Sequence, residues 1–353
     1  MSPSVKKQKD VVYYQIGYLL SFDLQILTGF MLRPIMMGEK DMPGDNRILL
    51  IESPNEIAVT QQAQNCLFQM DVENLLDALP EEPIFDLVVT SPPYNIGKEY
   101  EHQIPIEDYL AWQERIIQKI YARLKDNGSI CWQVGNYVEN GSIMPLDIEL
   151  APIFKRLNLH LRNRIIWHFG HGLHSRNRFS GRYEVVLWYT KSDDYIFNLD
   201  DVRVPAKYPG KRSYRGENKG QLSGNKLGKN PEDVWDIPNV KGNHVEKTAH
   251  PCQFPVGLIE RLVLALTNEE ALVFDPFSGV ASSGVAALLH NRHYWGCELS
   301  EEYTQIGKDR LEKTVAGEIR YRPYDKPIYD PSQSALSRIP DEWKGDANEN
   351  QHI

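Results

Sequence analysis

Thr90-Ser91-Pro92-Pro93-Tyr94-Asn95 directly follows the apolar run Phe85-Asp86-Leu87-Val88-Val89. The run reads as a buried strand, which puts the polar turn at the carboxyl end of a strand, the edge where open α/β sheets bind ligands. Consecutive prolines fix φ and remove two backbone donors. Their carbonyls, the Ser91 hydroxyl and the Tyr94 ring are then left to face outward. A hydroxyl, a carbonyl and an aromatic face held rigidly together suit a planar base carrying an exocyclic amine. The bland alternative is a Pro-Pro surface turn, which a single short motif does not exclude.

A second segment, Leu272-Val273-Phe274-Asp275-Pro276-Phe277-Ser278-Gly279-Val280-Ala281-Ser282-Ser283-Gly284, reads as a strand, a tight turn and a helix start. Gly279 lets a ligand approach the backbone, and the open amides at the Ser282 helix start favour a carboxylate. Asp275 at the strand tip suits a cationic amine. Glu298, in Gly296-Cys297-Glu298-Leu299, ends the next strand and is placed for a ribose diol, by analogy with dinucleotide folds. An ordinary βαβ crossover is the alternative. A ligand with an amine, a carboxylate, a ribose and a base is S-adenosylmethionine.

Positioning these turns requires regular elements, and the chain has them. Apolar, β-branched or aromatic runs predict strands at Cys66–Met70, Phe85–Thr90, Ser129–Val134, Arg164–Phe169, Val185–Tyr189, Ala271–Phe274 and Tyr294–Glu298. Helices are predicted at Ile106–Leu124, stopped by Asp126-Asn127-Gly128, and at Leu146–Leu157, Val256–Leu266 and Ser282–His290. Alternation of the two implies a mostly parallel sheet. Residues 192–246 break the rhythm with Gly, Lys, Asn and Pro, as a loop-rich insertion does. Residues 1–60 show no clean periodicity and read as an accessory segment or an upstream start, and the residues from Arg320 on as a polar arm.

The net charge of −9 argues against a polyanion partner until it is divided: Lys155 to Lys229 holds 16 Lys and Arg against 6 Asp and Glu. Such segregation fits a basic lobe on an acidic body; a solvated basic loop is the alternative. Cys66, Cys131, Cys252 and Cys297 form no CxxC pair, so zinc and a disulfide framework are not expected. Gln15, Asp23, Gln25 and Arg33 interrupt the apolar stretch 11–37 and argue against a membrane span.

In order and spacing the chain resembles the amino-group DNA methyltransferases of the β arrangement, in which the catalytic turn precedes the cofactor turn and a recognition insertion lies between. The likeness runs from about residue 65 to 315. It rests on Met70-Asp71 ahead of Leu75-Leu76, the Thr90–Asn95 turn, Arg182-Tyr183-Glu184, Lys247-Thr248-Ala249-His250-Pro251-Cys252-Gln253-Phe254-Pro255, the Asp275–Gly279 turn and Gly296–Glu298. It implies an α/β, Rossmann-like fold with a mostly parallel sheet in permuted order. The expected units are 1–60, a catalytic half 61–191, a target-recognition insertion 192–246, a cofactor half 247–317 and a tail 318–353. The strand ending at Asp275 is expected beside the one ending at Ser91. Asp275, Pro276, Phe277, Ser278, Gly279 and Ser282 would line the methionine end of S-adenosylmethionine, with Glu298 on the ribose. His250, Phe254 and Pro255 would close over it, and Asp71 would lie near the adenine or simply cap a turn.

The chemistry implied needs neither metal nor covalent intermediate. The target nitrogen is a poor nucleophile because its lone pair is delocalised into the ring. Hydrogen bonds from its two protons to the Ser91 hydroxyl and the Pro92 carbonyl, with Pro93 stiffening the turn, would return that lone pair to nitrogen. Tyr94 would stack on a base flipped from the duplex. Serine at the first position of the turn is that family's usual mark of cytosine-N4 transfer; adenine-N6 is the alternative. Pro251-Cys252-Gln253 mimics a cytosine-C5 nucleophile motif but precedes the glycine turn, so C5 chemistry is not expected. Lys207, Lys211, Arg212, Arg215, Lys219, Lys226 and Lys229, with Arg176 and Arg178 of the loop after His168, are the expected DNA contacts, mostly to phosphate. Double-stranded DNA and a cognate restriction endonuclease are the expected partners, for a monomer or homodimer in a prokaryotic cytoplasm at the nucleoid. A catalytically silent DNA-binding protein is the reading from another class. Protein-glutamine methylation is disfavoured because that family places an Asn-Pro-Pro-Tyr turn after the cofactor motif.

Overall fold

Period-two alternation along the strands decides which face of the sheet each residue serves. The computed structural model describes residues 47–57 and 64–340, except 96, 98–102, 140, 171, 173, 331, 333, 335 and 336. In chain order the elements are β1 (Ile48–Ile51), β2 (Asn65–Gln69), α1 (Val72–Ala78), β3 (Phe85–Thr90), α2 (Ile106–Arg123) and β4 (Leu124–Val134). The hairpin β5 (Asn136–Glu139) and β6 (Ser142–Pro145) follows, then α3 (Leu146–Arg156), β7 (His160–His168), β8 (Tyr183–Thr190) and β9 (Val234–Asp236). The chain continues with α4 (Val256–Leu266), β10 (Leu272–Asp275), α5 (Ser282–Leu289), β11 (His293–Glu298) and α6 (Glu301–Val315).

Among the described residues nine strands form one sheet in the order β1-β2-β11-β10-β3-β4-β8-β7-β9. Neighbours are parallel except β8, which runs antiparallel to both β4 and β7. One face buries Phe68, Val88, Trp132 and Phe274 against α1, α2 and α3, through Leu75, Ile116, Ile120 and Phe154. The other buries Leu67, Leu87, Cys131 and Val273 against α4, α5 and α6, through Leu258, Leu262, Val285 and Leu311. Each fully buried aliphatic side chain contributes roughly 1.5–3 kcal/mol, so the two layers hold the strand ends, and the turns on them, in fixed register.

Strand β10 pairs in parallel with β3, Val273 opposite Leu87 and Phe274 opposite Val88, as expected for turns 185 residues apart in sequence. The Asp126-Asn127-Gly128 stop is corrected. The helix ends at Arg123, and the tripeptide lies inside β4, where register with β3 slips between Phe85 and Leu87. Its turn chemistry makes an irregularity in a strand, not a cap. Residues 48–51, within the stretch read as aperiodic, form an edge strand because β2 supplies the partner. The remaining expectations for 1–46 lie outside the described residues.

Two further segments carry structure that their composition does not announce. Within 192–246, β9 joins the sheet beside β7 and Trp235, Ile237 and Val240 are buried. From Lys207 to Leu227, closed by the Val204–Lys229 bridge, every residue except Ser213 is exposed. The segment after Arg320 starts docked: Arg322 and Tyr324 amides donate to the carboxylates of Glu246 and Glu260, both at 2.9 Å. These buried acids draw a polar segment onto α4.

Candidate active site

Both turns sit at the carboxyl ends of adjacent strands and are tied together at their base. Thr90 Oγ1 donates to Asp275 Oδ1 at 2.6 Å, and both residues are fully buried. Asp275 also accepts from the Phe277 amide at 3.1 Å and from the Ser283 hydroxyl. Burial pushes its carboxyl up to about 6 against the pull of these bonds. Above the tie, Tyr94 OH lies 3.1 Å from Ser91 Oγ and donates to Glu184 Oε2 at 3.3 Å. Pro93's carbonyl is already taken by Tyr109 OH at 2.9 Å. Asn95, at φ +61°, uses its amide to hold Ile104 at both backbone atoms, 2.7 Å each. Gly135 at the end of β4 makes room for the Tyr94 ring: a Cβ there would stand 2.9 Å from Tyr94 Cε2.

Opposite, the turn after β10 crosses Gly279 at φ +52°, with the His250 imidazole 3.4 Å from where a Cβ would stand. Glu298 braces the turn: its Oε2 accepts from the Gly279 amide at 2.8 Å and its Oε1 from Ser300 at 2.9 Å. Burial raises the Glu298 carboxyl despite these bonds. Asp71 caps α1, accepting from the Glu73 and Asn74 amides at 2.8 and 3.3 Å. Beneath the turn, the Arg310 guanidinium bonds the Val280 carbonyl and Ser282 Oγ. Burial lowers it to about 10, so it remains a cation at neutral pH. His250 is pushed down to about 4, by burial first and by Lys247 and Arg310 next, so its ring is neutral there.

The two sides enclose one crevice of about 710 Å³, within the ~300–1,000 Å³ span of small-molecule sites. Ser91, Pro92, Pro93 and Tyr94 line one wall; Asp71, His250, Phe254, Pro276, Phe277, Ser278, Gly279, Ser282 and Glu298 line the other. Asp275 and Pro255 are not brought to it. Asp275 is fully buried behind the turn, where its two oxygens accept from Thr90, Phe277 and Ser283, so it braces the turn rather than facing the crevice. Pro255 is buried at the N-terminus of α4. A shallower depression of about 460 Å³ beside Asn198, Asp201 and Arg292 holds none of the expected residues.

The nine basic residues expected at DNA lie outside the crevice. Arg176, Arg178, Lys207, Lys211, Arg212, Arg215, Lys219 and Lys226 are exposed. Lys229 is partly covered and paired with Glu232. Sequence reasoning missed four other residues. Glu184 stands in the sequence only as part of Arg182-Tyr183-Glu184, yet it lines the crevice. Trp112 stacks edge-on against Phe277 from α2. Arg310, a cation in an amphipathic helix, gave no signal at all. Phe179, in the loop joining β7 to β8 beside Arg176 and Arg178, is 101% exposed. That loop leaves and returns at crevice-lining Phe169 and Glu184.

The comparisons agree with this geometry. The DNA methylase family model of N6/N4 methyltransferases matches residues 85–309. The chain is 46% identical to the type II methyltransferase M.BglII of Bacillus subtilis over 268 residues, 75% of this chain and 73% of that protein. It is 32% identical to the DNA adenine methyltransferase YhdJ of Escherichia coli K12, covering 67% of this chain and 79% of that protein. The solved PvuII cytosine-N4-specific DNA methyltransferase shares the fold, with a TM-score of 0.56 at 19% identity over 76% of this chain and 93% of that one. A glycine turn and a Ser-Pro-Pro-Tyr turn brought face to face, together with a family match spanning most of the sheet, place this chain in the N6/N4 DNA methylase family.

Proposed function

We propose that this DNA methyltransferase modifies the exocyclic N4 of cytosine within a short duplex site. The observation that carries the reading is the Ser91–Tyr94 turn facing Gly279 and Glu298 across one crevice. The methyl donor is S-adenosyl-L-methionine, which supplies an electrophilic methyl group. The residues fit that donor: Glu298 offers acceptors for a diol, Phe277 and Phe254 offer apolar walls, and Gly279 leaves open backbone beside His250. The helix N-terminus at Ser282, with the Arg310 cation buried beneath the turn, makes this end of the crevice positive, which suits a carboxylate. Asp71 lines the same wall.

On the opposite wall Ser91 Oγ and the Pro92 carbonyl accept the two protons of the amine, which localises the nitrogen lone pair. Holding that nitrogen in line supplies much of the acceleration. A neutral serine, where adenine enzymes more often carry an acid or amide, supports cytosine. Adenine-N6 transfer is the second reading, favoured by the likeness to an adenine methyltransferase. Flipping the base from the duplex gives the buried turn access to it. The exposed basic run from Lys207 to Lys226 would hold phosphates, and Phe179 with Arg176 and Arg178 would enter the opened stack. The likeness to type II methyltransferases supports a cognate restriction nuclease acting on the same site.

Digestion of treated DNA to nucleosides, followed by mass spectrometry, tests this. N4-methylcytosine is expected; N6-methyladenine would move the assignment to the second reading, and no methylated base would leave the silent DNA-binding alternative.

A further inference from the structure

A methylated exocyclic nitrogen is briefly cationic and must lose a proton, and serine oxygen alone is too weak a base to keep it. The polarity of the hydrogen bonds around Ser91 shows where that proton can go. Tyr94 OH donates to Glu184 Oε2 at 3.3 Å, so its proton is committed away from Ser91. Ser91 Oγ, 3.1 Å from Tyr94 OH, therefore donates to Tyr94 and turns its lone pairs to the crevice. Gln133 Nε2 donates to the same Glu184 oxygen at 2.5 Å and fixes the carboxylate. Ser91, Tyr94 and Glu184 thus form a chain of three side chains that ends in an acid.

We propose that Glu184 is the terminal proton acceptor of the reaction, acting through Tyr94 and Ser91. The inference rests on the reading of Ser91 given above. In the step, an N–H bond of the methylated amine breaks as a bond to Ser91 Oγ forms. The Ser91 hydroxyl proton passes to Tyr94 OH, and the Tyr94 proton passes to Glu184 Oε2. The cationic nitrogen becomes neutral and the carboxylate becomes a carboxylic acid, so charge balances without another reactant. Glu184 is half-buried and lines the crevice, so the proton leaves to solvent once product departs. Burial raises its carboxyl above the ordinary glutamate range, which makes it a better acceptor than a surface acid. The titratable groups facing it are Tyr94 from the turn and Lys241 from the segment after β9. From β4 it meets neutral Gln133, and on β7 its register partner is Trp167.

Glu184→Gln and Tyr94→Phe in the full chain test the relay, with Ser91→Ala as the reference. Single-turnover methylation of unmethylated plasmid DNA is followed against pH. Binding of S-adenosylhomocysteine is measured by calorimetry to show that each variant is folded. Wild type should slow as pH falls, because a protonated Glu184 cannot accept. Both relay variants should lose roughly 100-fold or more in rate, bind the nucleoside normally, and no longer show that acidic limb. A Glu184→Gln enzyme with wild-type rate and wild-type pH profile, beside an inactive Ser91→Ala, would overturn the relay and leave the site reading standing. An active Ser91→Ala would instead remove the reading on which the relay depends.

Discussion

Thr90→Val removes one hydroxyl and almost no volume, yet it cuts the tie between the two halves of the site. Thr90 Oγ1 lies 2.6 Å from Asp275 Oδ1, with both residues fully buried. A hydrogen bond to a charged group contributes roughly 1.5–3 kcal/mol, and one to a neutral group roughly 0.5–1.5 kcal/mol. Asp275 is pushed up to about 6, so its carboxyl is ionised at pH 8 and largely protonated at pH 5. The variant should therefore lose about 2 kcal/mol at pH 8 but only about 1 kcal/mol at pH 5. The sign follows from linkage. Without Thr90 the folded-state value rises further above that of the unfolded chain, so the folded state binds more protons. Stability then falls over a wider range as pH rises through 6. Urea unfolding followed by tryptophan fluorescence at the two pH values reads both numbers. Equal losses at pH 5 and pH 8, or none at either, would refute the charged, buried tie.

Three further outcomes follow from single features. Gly135→Ala places a Cβ 2.9 Å from the Tyr94 ring; single-turnover methylation should fall on the order of 100-fold while calorimetric S-adenosylhomocysteine affinity holds, and an unchanged rate would mean that Tyr94 need not stay where it is. Replacing Lys211, Arg212 and Arg215 together by alanine should reduce the log–log salt slope of DNA binding by about 2.7, and an unaltered slope would place the phosphates elsewhere. His250, held down to about 4, costs stability as pH falls from 6.5, because the unfolded ring takes a proton that the folded ring refuses. His250→Asn should therefore recover about 2 kcal/mol relative to wild type on going from pH 7 to pH 5, as read by unfolding, and a parallel loss in both proteins would contradict the half-buried neutral ring.

Much of this architecture was legible because the sheet is buried on both faces. Continuous apolar runs such as Phe85–Thr90 and Tyr294–Glu298 have few other places to go. Helix α4 is read to the residue, since Pro255 starts it and its apolar side chains continue to Leu266. Short or conditional elements were not legible. The four-residue β1 exists through its pairing with β2, and β9 through its pairing with β7, neither of which local sequence encodes. Asp126-Asn127-Gly128 misled because turn residues also make strand irregularities. In the site, motif spacing placed Ser91 and Gly279 on facing turns, but it did not show that Asp275 would be consumed by Thr90, Ser283 and Phe277. Glu184 reaches the crevice from β8, and Arg310 braces the underside of its glycine turn from α6, and such residues carry no local signature.

The central claim is that one crevice holds the methyl donor against Gly279 and Glu298 with its reactive end turned toward Ser91. A crystal structure with S-adenosylhomocysteine bound tests it most directly. The ribose should lie on Glu298, the amino-acid end over Gly279 and Ser282, and the sulfur should face the Ser91–Tyr94 turn. A nucleoside bound outside this crevice, or bound in it with the sulfur turned from Ser91, would contradict the account.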